Sequence, residues 1–229
     1  MSGVLQLGRL VLASHNPDKI AELREFLSPL RLDCLSAAEL GLASPEETGA
    51  SFAANARLKA EAAAQASGLP ALADDSGLCV DALDGAPGVR SARWAVRPRE
   101  DEPDFLFGMQ KIERALMRRG VRVQRVPNPQ SPSACFVCAL ALAWPPAGRA
   151  PHATERGGRV RVFEGRARGC LIFPPRGELG FGYDPIFVPH GSVISFGEMV
   201  AAHKNRISHR ADAFRQLHQW AGLEVRPHV

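Results

Sequence analysis

Apolar and polar residues alternate along this chain in two different periods. Ile20, Leu23, Phe26, Leu27 and Leu30 recur at three- and four-residue steps, which predicts a helix packing one face on a core. Asn16-Pro17 marks its start, a capping side chain followed by proline at the first helical position. Ahead of it, Arg9 to Ser14 (RLVLAS) reads as an opening strand. A second, alanine-rich helix is predicted from Ser51 to Ser67, stopped by Gly68. Leu69 to Ala73 then reads as a short buried strand, with Asp74 and Asp75 at its C-terminal end. Asp84 to Arg97 is loop-like, with Gly85, Pro87 and Gly88. A third helix spans Asp104 to Arg119, its apolar stripe being Phe105, Met109, Ile112 and Leu116.

The second half is richer in strands. Gly120 to Pro132 reads as a connector, and Ser133 to Trp144 as a strand apolar on both faces, hence interior. Pro145 to Gly158 is expected to be a loop, Arg159 to Ile172 one long or two shorter strands, and Phe173 to Pro189 a Gly/Pro-rich loop. A last helix starts near Ser208 and runs to Gly222. No repeat or low-complexity tract interrupts the chain. The expected fold is mixed α/β (α+β): a central mixed, twisted β-sheet with flanking helices, in one domain over residues 1–229.

Composition narrows the function classes only modestly. Of 229 residues, 45% are hydrophobic and 23% charged, an ordinary balance for a soluble globular chain. A formal net charge of +4 suits an anionic ligand without choosing one. No apolar run approaches a membrane span, and MSGVLQLGRLVLAS does not read as a signal peptide. Neither a membrane nor a nucleic-acid partner is expected: the arginines are scattered rather than gathered into a stripe with stacking aromatics. The five cysteines form no dense framework, which fits a reducing cytoplasm. Cys135 and Cys138 sit three apart in a strand, facing opposite sides, with no second ligand pair at zinc spacing.

Three clusters carry candidate chemistry. SHNPDK, comprising Ser14, His15, Asn16, Pro17, Asp18 and Lys19, lies where strand turns to helix. Free N–H groups and the helix dipole favour an anion there, and Lys19 adds a positive charge; an ordinary capped helix is the plain alternative. Glu46 and Glu47 in EETG, together with Asp74 and Asp75 in DDSG, place paired carboxylates at element boundaries. Two adjacent carboxylates need a cation or proton to offset them, and oxygen-only donors indicate Mg²⁺, with Mn²⁺ as a substitute. In GFGYDP, Phe181 and Tyr183 offer flat faces to a base, with core packing the alternative. In KNRISHR, Ser208 reads as a helix cap, and His209 and Arg210 as donors able to meet a keto oxygen.

Taken in series, SHNPDK, EETGASFAANA, ADDSGLCVDALDGAPGVRSARWA, GFGYDPIFVP and KNRISHR resemble the motifs of the noncanonical purine nucleoside triphosphate pyrophosphatases, the inosine/xanthosine triphosphate pyrophosphatase family. The match runs along nearly the whole chain and is thin between Gly120 and Gly158. The resemblance implies two lobes around a nucleotide-binding cleft and a homodimer. It also implies Mg²⁺-dependent hydrolysis of ITP, dITP and XTP to the monophosphate and pyrophosphate. By the same resemblance, Ser14 to Lys19 hold phosphates and Asp75 is general base and metal ligand, with Asp74 supporting it. Glu46 or Glu47 completes the metal site, and Ser76 touches substrate. Phe181, Gly182, Tyr183, Asp184, Lys204, His209 and Arg210 bind the nucleotide. Rival readings are a Maf-like pyrophosphatase acting on pyrimidine nucleotides, a nucleotide-binding regulator without catalysis, and a nucleic-acid binder.

Overall fold

The computed structural model describes residues 8–146 and 160–222. The expected loop after Pro145 falls largely outside them, as do the first residue of the strand expected from Arg159 and the first seven residues of the chain. The elements run β1 (Arg9–Leu12), α1 (Pro17–Leu27), β2 (Asp33–Ser36), α2 (Phe52–Ser67), β3 (Ala71–Val80), α3 (Ser91–Trp94), α4 (Phe105–Arg118), β4 (Ser133–Ala143), β5 (Val160–Leu171), β6 (Phe187–Pro189), α5 (Ala201–Ile207) and α6 (His209–Trp220). The strands form one six-stranded sheet in the order β2-β1-β3-β4-β5-β6. β1 lies parallel to β2 and β3, whereas β5 and β6 are antiparallel, so the fold is mixed α/β as expected.

The expected helix boundaries follow local chemistry. Asn16 caps α1 by accepting from the Asp18 and Lys19 N–H groups, with Pro17 at the first position. Ser51 caps α2 and a left-handed Gly68 ends it. Asp104 accepts from the Phe107 N–H at the head of α4. Ser208 does the same for the Ala211 N–H at the head of α6. Each such cap contributes about 1 kcal/mol to helix stability.

Several expectations need correction. β3 does not stop before the aspartates; it continues through them to Val80, because Leu78 and Val80 are buried and extend the strand. Arg159 to Ile172 resolves as one strand, β5, over its described residues. The loop-like stretch after Asp84 holds a 3-10 turn (Gly88–Arg90) and the one-turn helix α3. β2, β6 and α5 were not anticipated; at four, three and seven residues they are too short for a period to show.

The chain divides into two compact units. Unit 1 comprises Met1–Asp75, Cys138–Gly165 and Ala213–Val229; unit 2 comprises Ser76–Val137 and Arg166–Asp212. Each has its own apolar core. In unit 1, Leu10, Leu12, Leu23, Leu72, Leu140 and Phe214 are buried together, with Phe26 stacked on Phe214 at 4.7 Å between ring centres. In unit 2, Leu78, Ile112, Leu116, Phe136, Phe187 and Phe196 form the centre, and Phe136 meets Phe187 edge-on at 4.8 Å. β4 is buried from Ala134 onward, as an interior strand apolar on both faces should be. Among the described residues, no helix is long and apolar enough to cross a membrane.

Unit 2 contains one close approach that constrains sequence. A Cβ on Gly108 of α4 would lie 2.7 Å from the Tyr183 hydroxyl and 3.1 Å from Ala95 Cβ. Tyr183 cannot easily yield, because it is buried and its hydroxyl donates to the Ser91 carbonyl at 2.8 Å. Gly108→Ala should gain about 1 kcal/mol of helix propensity yet lose more to overpacking. A net loss of about 1–2 kcal/mol in urea unfolding is expected. A variant more stable than the parent would show that α4 and the Tyr183 loop are not locked together in this way.

Candidate functional site

The unit 1 part begins where β1 turns into α1. The Ser14 hydroxyl accepts from the Asn16 N–H at 3.2 Å, and Asn16 Oδ1 accepts from Asp18 and Lys19 at 2.9 and 3.1 Å. His15 is exposed and its Nε2 donates to the Leu42 carbonyl at 2.8 Å. Asp18, exposed in the first turn, complements the helix dipole. Lys19 extends from the same turn and places its Nζ 2.6 Å from Asp74 Oδ1.

Adjacent aspartates inside a strand point to opposite faces, and their partners differ accordingly. Asp74 meets Lys19 of α1 and accepts from the Cys138 thiol of β4 at 3.2 Å. Asp75 meets α2: Lys59 Nζ lies 3.2 Å from Oδ1, and Asn55 Nδ2 donates to Oδ2 at 3.2 Å. The repulsion that an adjacent pair threatens is therefore relieved within the chain by two separate ammonium groups.

Lys59 also reaches Glu47 Oε1 at 2.7 Å, so one ammonium bridges two carboxylates from different elements. Asn55 fixes the loop that carries Glu47, because its Oδ1 accepts from the Gly49 N–H at 2.7 Å. Gly49 is close-packed there: a Cβ would fall 2.5 Å from that same Oδ1. Glu46, by contrast, is exposed. Burial, its largest influence, raises the Asp75 pKa above the ordinary value of 3.8, and Lys59 only partly offsets this. Burial works against the charge on Lys59, but Asp75 and then Glu47 outweigh it, so the ammonium is held protonated.

Among the described residues, no group of three or more His, Cys, Asp or Glu side chains could hold a metal ion. The two carboxylates converging on the Lys59 ammonium nevertheless match the donor set of a hard divalent ion. Mg²⁺ commonly takes one or two protein carboxylates and fills its remaining positions with water and phosphate oxygens.

Unit 2 collects the downstream candidates. Lys204 Nζ lies 2.7 Å from Asp184 Oδ2, a buried pair, and the same oxygen accepts from the Phe181 N–H at 2.9 Å. Lys204 and Arg210 both lie over the Phe181 ring, at 4.6 and 5.2 Å from its centre. Arg210 is buried and donates to the Ser76 hydroxyl at 2.8 Å. His209 is buried and stacks on Phe136, 4.8 Å between centres and 11° from parallel. Phe181 and Gly182 keep partial exposure. Tyr183 does not: its ring packs edge-on against Phe105 and burial pushes its hydroxyl pKa up. Tyr183 thus supports the loop from within the core, and Phe181 is the partly exposed aromatic of the motif, with two cations over its ring.

The sequence reading missed Asn55 and Lys59 as site residues. A signal was present: both fall on the buried face of α2, four residues apart, where Ala56, Ala60, Ala63 and Ala64 otherwise lie. A lysine within a buried alanine stripe must find a carboxylate. It also missed Cys138, for which a weak donor on a strand gives no sequence signal.

Known proteins resemble this chain over most of its length. The profile of the Ham1 family matches residues 10–220. A protein from Rhodopseudomonas palustris named dITP/XTP pyrophosphatase is 51% identical over 217 residues, which are 92% of this chain and 94% of that protein. One of the same name from Zymomonas mobilis is 52% identical over 213 residues, 93% of this chain and 91% of that protein. The solved structure of a HAM1 protein from Coxiella burnetii superposes with a TM-score of 0.74 at 36% identity, covering 92% of this chain and 96% of that one. Profile, sequence and fold agree over nearly the full length, and the chain belongs to the Ham1 family.

Proposed function

We propose that this chain hydrolyses dITP, ITP and XTP between the α and β phosphorus atoms, releasing the nucleoside monophosphate and pyrophosphate. Its role would be to clear deaminated purines from the nucleotide pool. The observation that carries the reading is the convergence of Asp75 and Glu47 on one cationic point, with the lysine of the capped α1 start paired to the neighbouring Asp74. The names of relatives about half identical over nine-tenths of the chain support it.

Asp75 and Glu47 are the residues we assign to Mg²⁺, with Mn²⁺ as a substitute; the bound ion supplies charge neutralisation for the polyphosphate. Asp75 accepts the proton of the attacking water. Lys19 and the N–H groups at the head of α1 bind the polyphosphate and stabilise charge on the departing pyrophosphate. Phe181 stacks on the base, and His209 and Arg210 present donors to its 6-keto oxygen. Adenine offers a donor at that position, so a mismatched buried pair disfavours ATP. The homodimer belongs to the same proposal, as does a cytoplasmic location, with which the five free thiols are compatible.

A panel of triphosphates with Mg²⁺ should release pyrophosphate, not orthophosphate, from dITP, ITP and XTP, with little from ATP. Equal kcat/KM for ATP and ITP would end the base-selection argument, and faster turnover of UTP or TTP would favour the Maf-like alternative. Asp75→Asn should lower kcat by about 10²-fold or more while circular dichroism stays unchanged. Near-full turnover by that variant would remove Asp75 from its role.

Titrating Mg²⁺ into the nucleotide-free protein should raise Tm. At a hundredfold excess over Kd the gain is about 2.7 kcal/mol, or several degrees for a chain of this size. The gain should vanish in Asp75→Asn, shrink in Glu47→Gln and persist in Glu46→Gln. Loss of the gain in Glu46→Gln alone would move the metal site to the other glutamate.

A further inference from the structure

We propose that Cys138 is a positioning residue for Lys19, acting through Asp74. The inference rests on the reading above, in which Lys19 stabilises the departing pyrophosphate. Asp74 has no side-chain exposure, and a buried carboxylate needs donors to both oxygens. Oδ1 faces the Lys19 ammonium at 2.6 Å, and Oδ2 accepts from the Cys138 thiol at 3.2 Å. A carboxylate held through one oxygen can still rotate about its Cβ–Cγ bond. Held through both, its plane is fixed, and the ammonium is fixed with it.

Lys19 and Cys138 differ in stiffness as supports. Lys19 has a long side chain that keeps 21% exposure, so it cannot hold Asp74 in place alone. Cys138 is fully buried on the interior strand β4, in the cluster that holds Leu72, Leu140 and Leu23. Its short side chain carries the rigidity of that core to the carboxylate. The ordinary account of a buried cysteine is a small apolar filler. That account explains the burial but not a sulfur directed at a carboxylate oxygen.

The two accounts order a pair of substitutions oppositely. Cys138→Val fills the space and donates nothing, whereas Cys138→Ser keeps a donor and suits the apolar core less well. If the thiol acts as a donor, Cys138→Val lowers kcat for dITP about tenfold with KM within threefold, while Cys138→Ser retains most of it. Affinity for inorganic pyrophosphate, measured by calorimetry with Mg²⁺ present, should fall in the same order. In the infrared, the S–H band lost in Cys138→Ser should lie lower in frequency than the other thiols and shift upward in Asp74→Asn. Valine as active as the parent, serine and valine equally impaired, or a thiol band indifferent to Asp74→Asn would each overturn the proposal. If the parent hydrolyses no dITP or XTP, the functional reading fails; pyrophosphate affinity and the thiol band still decide whether Cys138 holds Asp74 and Lys19.

Discussion

Two buried carboxylates at consecutive positions of β3 are accommodated because the strand turns them to opposite faces and each face brings its own ammonium. At an effective dielectric of about 20, like charges 4 Å apart repel by about 4 kcal/mol. The pleat separates the side chains, and Lys19 and Lys59 convert each position into a buried or half-buried ion pair. Such pairs add little net stability against apolar replacements, but removing one partner costs about 3–5 kcal/mol. The arrangement is therefore best understood as fixing charges in place. Removing either lysine would leave a buried aspartate without its ammonium.

The helices deliver those lysines through ordinary local chemistry. Asn16 and Pro17 start α1 so that Lys19 falls in its first turn, at the positive end of the dipole. An ammonium is disfavoured there unless a carboxylate answers it, and Asp74 does. In α2 the buried residues around Lys59 include Ala56, Ala60, Ala63 and Ala64, which lets Lys59 lie along a surface with little side-chain bulk. Its long stem is buried and only its head group meets oxygen, from Asp75 and Glu47. Asn55, one turn earlier on the same face, then ties the Glu47 loop to Asp75 through a single amide.

Much of this was legible in the sequence because caps and periodicity are local. The boundaries of α1, α2 and α4, the interior character of β4 and the special status of DDSG all follow from residues within a few positions of one another. β3 was cut short because Asp, Ser and Gly are depleted in strands, and that propensity outweighed Leu78 and Val80 further on. Tertiary pairing of each aspartate with a lysine, together with burial of Leu78 and Val80, accompanies the longer strand. Lys59 and Asn55 were overlooked for a related reason: their meaning depends on the strand they face. Tyr183 is the reverse case, a conspicuous aromatic in a glycine-rich motif whose ring and hydroxyl are both used inside the core, the alternative the sequence left open.

The choice between the glutamates shows what three dimensions add to a motif. Glu46 and Glu47 are equivalent by type and adjacent in sequence, and no spacing rule separates them. Gly49 separates them physically. Its N–H is held by Asn55, whose other end is held by Asp75, so the loop is anchored two residues beyond Glu47. That anchor fixes which carboxylate turns toward Lys59, and Glu46 is left in solvent. A comparable economy operates in unit 2, where one oxygen of Asp184 accepts from both Lys204 and the Phe181 N–H. The position of Phe181 is thereby set by the same carboxylate that neutralises the cation above its ring. In each unit one carboxylate ties a charged side chain to the backbone or amide that orients it. A substitution at Asp75 or Asp184 therefore displaces a loop as well as removing a charge.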